Sequence, residues 1–179
     1  FEESGMSLDS GRLYFSKRAM IHSRMVQILD HFRHTATKNK PVLTVTSHSQ
    51  GTMIAIEVLN NPKLSWLRDA FSEIRLVTMG SPFTHIYQHY FSHHYPALDQ
   101  PYWSNLRQRV DYWYNIFRVD DFVGTSIDFP ESLRSTPGFE CYNFPIKRCG
   151  HNNYWSDKQV IELLQKQAEF SWVSDDPKF

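Results

Sequence analysis

The stretch from Val42 to Ile56 constrains the fold of this chain more than any other. It opens with β-branched residues (Val42, Thr44, Val45, Thr46) that suit a buried strand. It turns through Ser47-His48-Ser49-Gln50-Gly51 and continues with Met53-Ile54-Ala55-Ile56, an apolar run that suits a helix. A strand that passes into a helix through so short a turn brings two backbones close together. Small residues are then needed two positions either side of the apex, and Ser47 and Gly51 meet that demand. Ser49, at the apex, is expected to hold a strained backbone conformation with its hydroxyl clear of the strand ends. The N–H groups that follow, beginning with Gln50, lie at a helix start, where negative charge is favoured.

The rest of the chain supplies more strands of the same kind. From Leu13 to His34, Ile21, Met25, Ile28, Leu29 and Phe32 recur at helical spacing, and Thr35 to Pro41 ends that helix before the strand at Val42. The helix after the turn runs to Leu59, and a short one is predicted from Leu64 to Phe71. Ile74–Met79 reads as a second strand, cut by Gly80-Ser81-Pro82. Two strands joined by a helical crossover imply a parallel pair. Further strands are predicted at Asp111–Val119 and Phe139–Ile146, and Ser156 with Gln159 reads as a capping box opening a last helix. Phe1 to Arg12 is expected to be irregular and the tail from Ser174 frayed. The expected class is α/β, a mostly parallel sheet flanked by helices, and 179 residues suffice for one such domain with a good core.

Charge narrows the partners. Lysine plus arginine equals aspartate plus glutamate at 19 each, so nothing draws the chain to nucleic acid. Cys141 and Cys149 lack the spacing of a redox or zinc site and read as ordinary thiols, with a single bridge between them as the alternative. Between Phe83 and Arg109 lies an aromatic, histidine-rich excursion with Tyr87, Tyr90, Phe91, Tyr95, Tyr102 and Trp103. His89 and His93 are four apart and would share a helical face, but no cysteine or acidic residue nearby completes a metal set. The excursion reads as packing, or as a lid or cleft wall suited to acyl chains. No metal and no cofactor are expected.

Serine is a poor nucleophile unless a base removes its proton and a third group orients that base. In a parallel α/β sheet such groups gather past the C-terminal strand ends. Asp120 and Asp121 follow the third predicted strand, and His151 follows the last, in Gly150-His151 ahead of the terminal helix. The chain order is serine, aspartate, histidine, the order found in α/β-hydrolases. His48, as the immediate neighbour of Ser49, points elsewhere and is expected to pack beside the turn or line its rim.

On these residues the chain resembles the lipase and esterase side of the α/β-hydrolase superfamily, in particular bacterial lipase-like members. The matching pieces are Ser47-His48-Ser49-Gln50-Gly51 as nucleophile elbow, Gly80-Ser81-Pro82, Asp121-Phe122-Val123-Gly124, and His151-Asn152-Asn153-Tyr154-Trp155. The usual elbow is G-x-S-x-G, and Ser47 departs from it. The resemblance spans Val42 to Leu164 and implies Ser49 as nucleophile, Asp121 as orienting acid, His151 as general base and the Gln50 N–H as one oxyanion donor. Asp120 competes with Asp121, which the D-x-V-G pattern favours. The substrate implied is a small-molecule or lipid ester, cleaved through an acyl-enzyme. Acyl transfer or thioester cleavage would use the same residues. A full family member has several strands before the elbow strand, including the loop of the second oxyanion donor. Here only one helix and an irregular lead-in precede Val42, and the chain starts at Phe1, so residues 1–179 are expected to be the C-terminal part of the fold. A preceding part of a parent protein, in contact with this domain, or the segment Gly5 to Gly11, would then supply that donor. A non-catalytic scaffold or binding module of the same fold is the alternative from another class.

Overall fold

The computed structural model describes residues 7–9, 12–14, 16–35, 40–134 and 136–168. Gly5, Gly11 and the tail from Ser174 lie outside them. Ser7–Asp9 (β1) and Arg12–Tyr14 (β2) pair antiparallel, with Leu8 opposite Leu13, where an irregular segment was expected. The first helix, α1, therefore starts later than predicted and spans Lys17–Thr35. Its start is set by Ser16, whose Oγ accepts from the Ala19 N–H.

Four strands form the main sheet: β3 (Val42–His48), β4 (Glu73–Met79), β5 (Tyr112–Arg118) and β6 (Glu140–Ile146). All neighbours are parallel, and their spatial order is their chain order. The expected α/β class with a parallel sheet flanked by helices is what the chain adopts. All four C-terminal ends consequently share one rim.

Helix α2 (Gln50–Asn60) follows β3 directly. The single helix expected from Leu64 to Phe71 is instead a 3-10 turn at Pro62–Leu64 and a short helix, α3 (Leu67–Ala70). Pro62 starts the turn, and Asn61 Oδ1 accepts from the Lys63 N–H. After β4 the chain makes a π-helical stretch at Phe83–Gln88, a 3-10 turn at Pro101–Trp103 and helix α4 (Ser104–Arg109). Helix α5 (Glu131–Arg134) precedes β6, and α6 (Lys158–Ala168) follows it. The capping box at Ser156 does not form. Asp157 caps α6 by accepting from the Gln159 N–H at 2.8 Å, while the Gln159 side chain accepts from the Lys147 N–H. A carboxylate at this helix start is favoured over a hydroxyl one residue earlier.

Side chains alternate across the sheet, so each face has its own core. One face packs Ile74, Leu76 and Trp113 against α2 and the aromatic excursion, with Phe83, Leu98, Trp103 and Leu106 fully buried. The other packs Val77, Met79, Tyr114 and Ile116 against Val160, Leu163 and Leu164 of α6. Part of the excursion is thus core, and Phe83, Tyr95 and Trp103 interlock edge to face or stacked. Tyr90 and Phe91 remain exposed. Helix α1 is rotated from its predicted orientation: Leu29 is buried, but Ile21, Ile28 and Phe32 face outward. The rotation brings Arg18 and His22 to Glu57 on α2, which also accepts from the Tyr95 hydroxyl. Cys141 and Cys149 form no disulfide with each other.

A buried polar row crosses the sheet in register. Trp113 Nε1–H donates to Thr78 Oγ1, which donates to Asn115 Oδ1 at 2.9 Å. Asn115 Nδ2–H donates to Asn143 Oδ1 and to the Thr125 carbonyl, and Asn143 brackets the backbone of Ile127. The segment after β5 is thereby stitched to the sheet. It crosses at a place only glycines can occupy: a Cβ on Gly124 would lie 2.0 Å from the Gly80 carbonyl carbon. We predict that Gly124→Ala costs at least about 3 kcal/mol in chemical denaturation, since overpacking against backbone cannot relax by rotamer change. Gly138→Ala, with positive φ but nothing within 4 Å of its Cβ, should cost only about 1 kcal/mol.

Candidate active site

Ser49 stands just past β3 with φ 53° and ψ −130°, a conformation an L-residue rarely holds. The surroundings impose it. Its N–H donates to the Met79 carbonyl at 3.0 Å, extending the β3–β4 ladder by one bond. Its carbonyl accepts from the Thr52 N–H at 3.0 Å and from Thr52 Oγ1 at 2.7 Å, and Thr52 is in turn 2.8 Å from the buried Ser81 hydroxyl. Ser47 is half-buried, and its hydroxyl donates to the Val77 carbonyl. A Cβ on Gly51 would meet nothing within 4 Å, so the close backbone approach expected at this position falls instead at Gly80 and Gly124. The Gln50 N–H lies in the first turn of α2, among the donors a helix leaves without an internal partner. The Gln50 side chain donates to the Tyr87 hydroxyl.

The three strand-end residues meet in a hydrogen-bonded row. His151 Nε2 is 2.7 Å from Ser49 Oγ, and His151 Nδ1 is 2.9 and 3.0 Å from the two Asp121 carboxylate oxygens. A carboxylate can only accept, so Nδ1 carries the proton and Nε2 is left to accept from the serine hydroxyl. The Asp121 side chain is fully buried. It also accepts from the Val123 and Gly124 N–H groups and from the Tyr154 hydroxyl. Burial alone would push its pKa up, but these donors outweigh it and hold the carboxyl below the usual range. Asp120, the competing acid, is turned to the backbone N–H groups of Cys149 and Gly150 and does not face the imidazole.

Two further side chains hold the histidine loop. Arg118, whose side chain is wholly out of solvent, donates to the carbonyls of Gly150 and Asn152 and to the Asp157 carboxylate. Its guanidinium lies 4.1 Å above the Tyr154 ring. His48 Nε2–H donates to the carbonyl of His151 itself at 3.1 Å. Its ring stacks on that of His151 with centroids 5.0 Å apart, and Tyr154 flanks it at 5.2 Å. Burial is the largest cause that lowers the His48 pKa, and it outweighs the bond to the His151 carbonyl. Sequence reading marked neither Arg118 nor Tyr154 for this role. An arginine at the penultimate predicted strand position, unsuited to an apolar core, was the available signal.

Elsewhere, His85, His89, His93 and His94 lie exposed on the excursion. Among the described residues no three histidine, cysteine, aspartate or glutamate side chains are grouped to hold a metal ion. A scan against protein-family models finds no matching family, and a search of curated proteins finds no matching relative.

The titrating groups fix how stability changes with pH. His48 has a folded pKa below its ordinary value of 6.5, so its contribution is complete above 6.5 and is lost as pH falls toward the folded value. Asp121 and Asp157 have folded pKa values below their ordinary 3.8, and their contributions are lost only below that pH. Urea midpoints measured against pH should therefore decline in two stages, and His48→Phe should abolish the first while leaving the second.

Proposed function

We propose that this chain is a serine hydrolase of the α/β-hydrolase type that cleaves carboxylic esters, lipase- or esterase-like in substrate class. The observation that carries the reading is the unbroken row Ser49 Oγ, His151 Nε2–Nδ1, Asp121, with hydrogen bonds of 2.7 and 2.9 Å. In this reading His151 takes the Ser49 proton as the oxygen attacks the ester carbonyl. Asp121 holds the tautomer and stabilises the imidazolium that forms. The negative charge on the former carbonyl oxygen faces the Gln50 N–H at the start of α2. Collapse breaks the bond to the alkoxy group, which leaves as the alcohol with the proton from His151. Water, deprotonated by His151, then cleaves the acyl-enzyme to the carboxylic acid and restores Ser49. No cofactor enters these steps.

In this reading the second oxyanion donor comes either from a preceding part of a parent protein or from the segment Gly5 to Gly11. Among the described residues β3 is an edge strand, and this favours the second reading, a scaffold or binding module of the same fold. Acyl transfer or thioester cleavage shares the same row of residues and is separated from ester hydrolysis by a substrate panel.

The test is covalent labelling with a fluorophosphonate, followed by ester turnover. Labelling should occur in the parent sequence and vanish in Ser49→Ala. Asp121→Asn, which reverses the tautomer preference, should lower kcat by about 10⁴-fold. Labelling that survives Ser49→Ala would overturn the nucleophile assignment, and ester turnover unchanged in His151→Ala would overturn the base.

A further inference from the structure

Three successive peptide carbonyls run through the histidine loop, and each is held by a buried or half-buried side-chain donor. Arg118 takes those of Gly150 and Asn152, and His48 takes the middle one, the carbonyl of His151. Arg118 acts from β5 and carries a permanent charge. His48 differs on both counts. It is the last residue of β3 and is joined directly to Ser49, so the strand that sets the serine also sets the loop that carries its partner.

The turn at Ser49 makes this geometry available. Because Ser49 sits at φ 53°, the side chains of residues 48 and 49 diverge. The hydroxyl reaches the Nε2 end of His151, while the His48 ring lies against the flat face of the same imidazole, 29° from parallel. His151 is thus gripped at its edge by Asp121, at its face by His48 and at its backbone by the His48 N–H. The groups that face His48 are His151 and Tyr154 from the histidine loop, Asp121 from the acid loop and Arg118 from β5. Three of these bear, or take up during turnover, a charge that a neutral ring tolerates and that only Asp121 would balance against a charged one.

We propose that His48 is a positioning residue for the triad, working as a neutral Nε2–H donor that locks the imidazole of His151 in line with Ser49. The inference rests on the serine-hydrolase reading above and deepens it. It assigns His48 no contact with substrate and no proton in transit.

The test compares two variants of the full chain by fluorophosphonate labelling rate, steady-state turnover of a short-chain aryl ester, and the low-field proton resonance of His151 Nδ1–H. His48→Phe keeps a flat ring against His151 and removes the donor. His48→Gln keeps an N–H near the same point and removes the ring. For His48→Phe we expect the labelling rate and kcat to fall about tenfold with KM unchanged, as misplacement of a catalytic group lowers rate rather than binding. The low-field resonance should broaden or vanish. His48→Gln should recover most of the rate. If both variants keep kcat within twofold of the parent and retain the resonance, the positioning role is overturned while the triad stands. Equal losses in both that merely follow a fall in Tm, with the resonance retained, overturn it in favour of plain packing. Absence of any Ser49 labelling in the parent chain overturns the serine-hydrolase reading, and this inference with it.

Discussion

A carboxylate cannot be left alone out of water, and the arrangement of this rim follows from how Asp121 is satisfied. Its oxygens take up two backbone N–H groups, an imidazole N–H and a phenol hydroxyl. An isolated buried carboxylate would protonate instead; one with this many donors keeps its charge. Each donor has a structural consequence. The backbone bonds curl residues 121–124 into a tight loop, which brings Gly124 onto Gly80 at the end of β4. The Tyr154 hydroxyl fixes the turn after the histidine, and the imidazole fixes the histidine itself. Gly80 is crowded from the same side, since a Cβ there would meet Asp121 Oδ2 and the Tyr154 ring at 3.0 Å.

The same rim stores strain. Ser49 holds a backbone conformation costing on the order of 1–3 kcal/mol, which persists only where the surroundings over-determine it. Here they do so from two sides. β4 holds the Ser49 N–H through Met79, and α2 holds its carbonyl through Thr52. The buried Ser81 hydroxyl completes the chain from Thr52 back to the segment after β4. Strain at the serine and charge at the aspartate are therefore anchored on one another's supports, both at the end of β4.

Much of this was legible in the sequence, because local chemistry decided it. The β-branched run at Val42, the apolar run at Ile74 and the stretches at Asp111–Val119 and Phe139–Ile146, with the breaks that follow them, gave four strands to within a residue or two. Ser49, Asp121 and His151 were legible because each follows a strand, and parallel strands bring their ends together. Asp121 over Asp120 rested on a motif, and the structure separates them by direction: one meets the imidazole, the other the loop backbone. What was not legible depends on tertiary contact. The facing of α1 is settled by Glu57, a charged group that holds Arg18 and His22 on its side of the helix and leaves Ile28 and Phe32 outside. The helix start at Asp157 is settled by Arg118, thirty-nine residues away in the chain. The aromatic excursion shows no periodicity because its rings pack edge to face in a three-dimensional cluster rather than along one helix stripe.

The two edges of the sheet are not alike, and the difference bears on the site. β6 carries Pro145, which cannot donate to a neighbouring strand, together with exposed Glu140 and Tyr142. These are features that discourage strand addition. β3 has neither proline nor charge between Val42 and His48, and its residues are only half covered, whereas those of β4 are almost all buried. Among the described residues, the strand that leads into Ser49 thus has a paired neighbour on one side alone. Its alignment depends on β4 more heavily than an interior strand's would. That dependence accounts for the bonds that run to β4 beyond the ordinary ladder: Ser47 Oγ to the Val77 carbonyl, and the Ser49 N–H to the Met79 carbonyl. The stacking of His48 on His151 ties the same strand across to the far loop, so β3 is held at its Ser49 end from β4 and from the histidine loop.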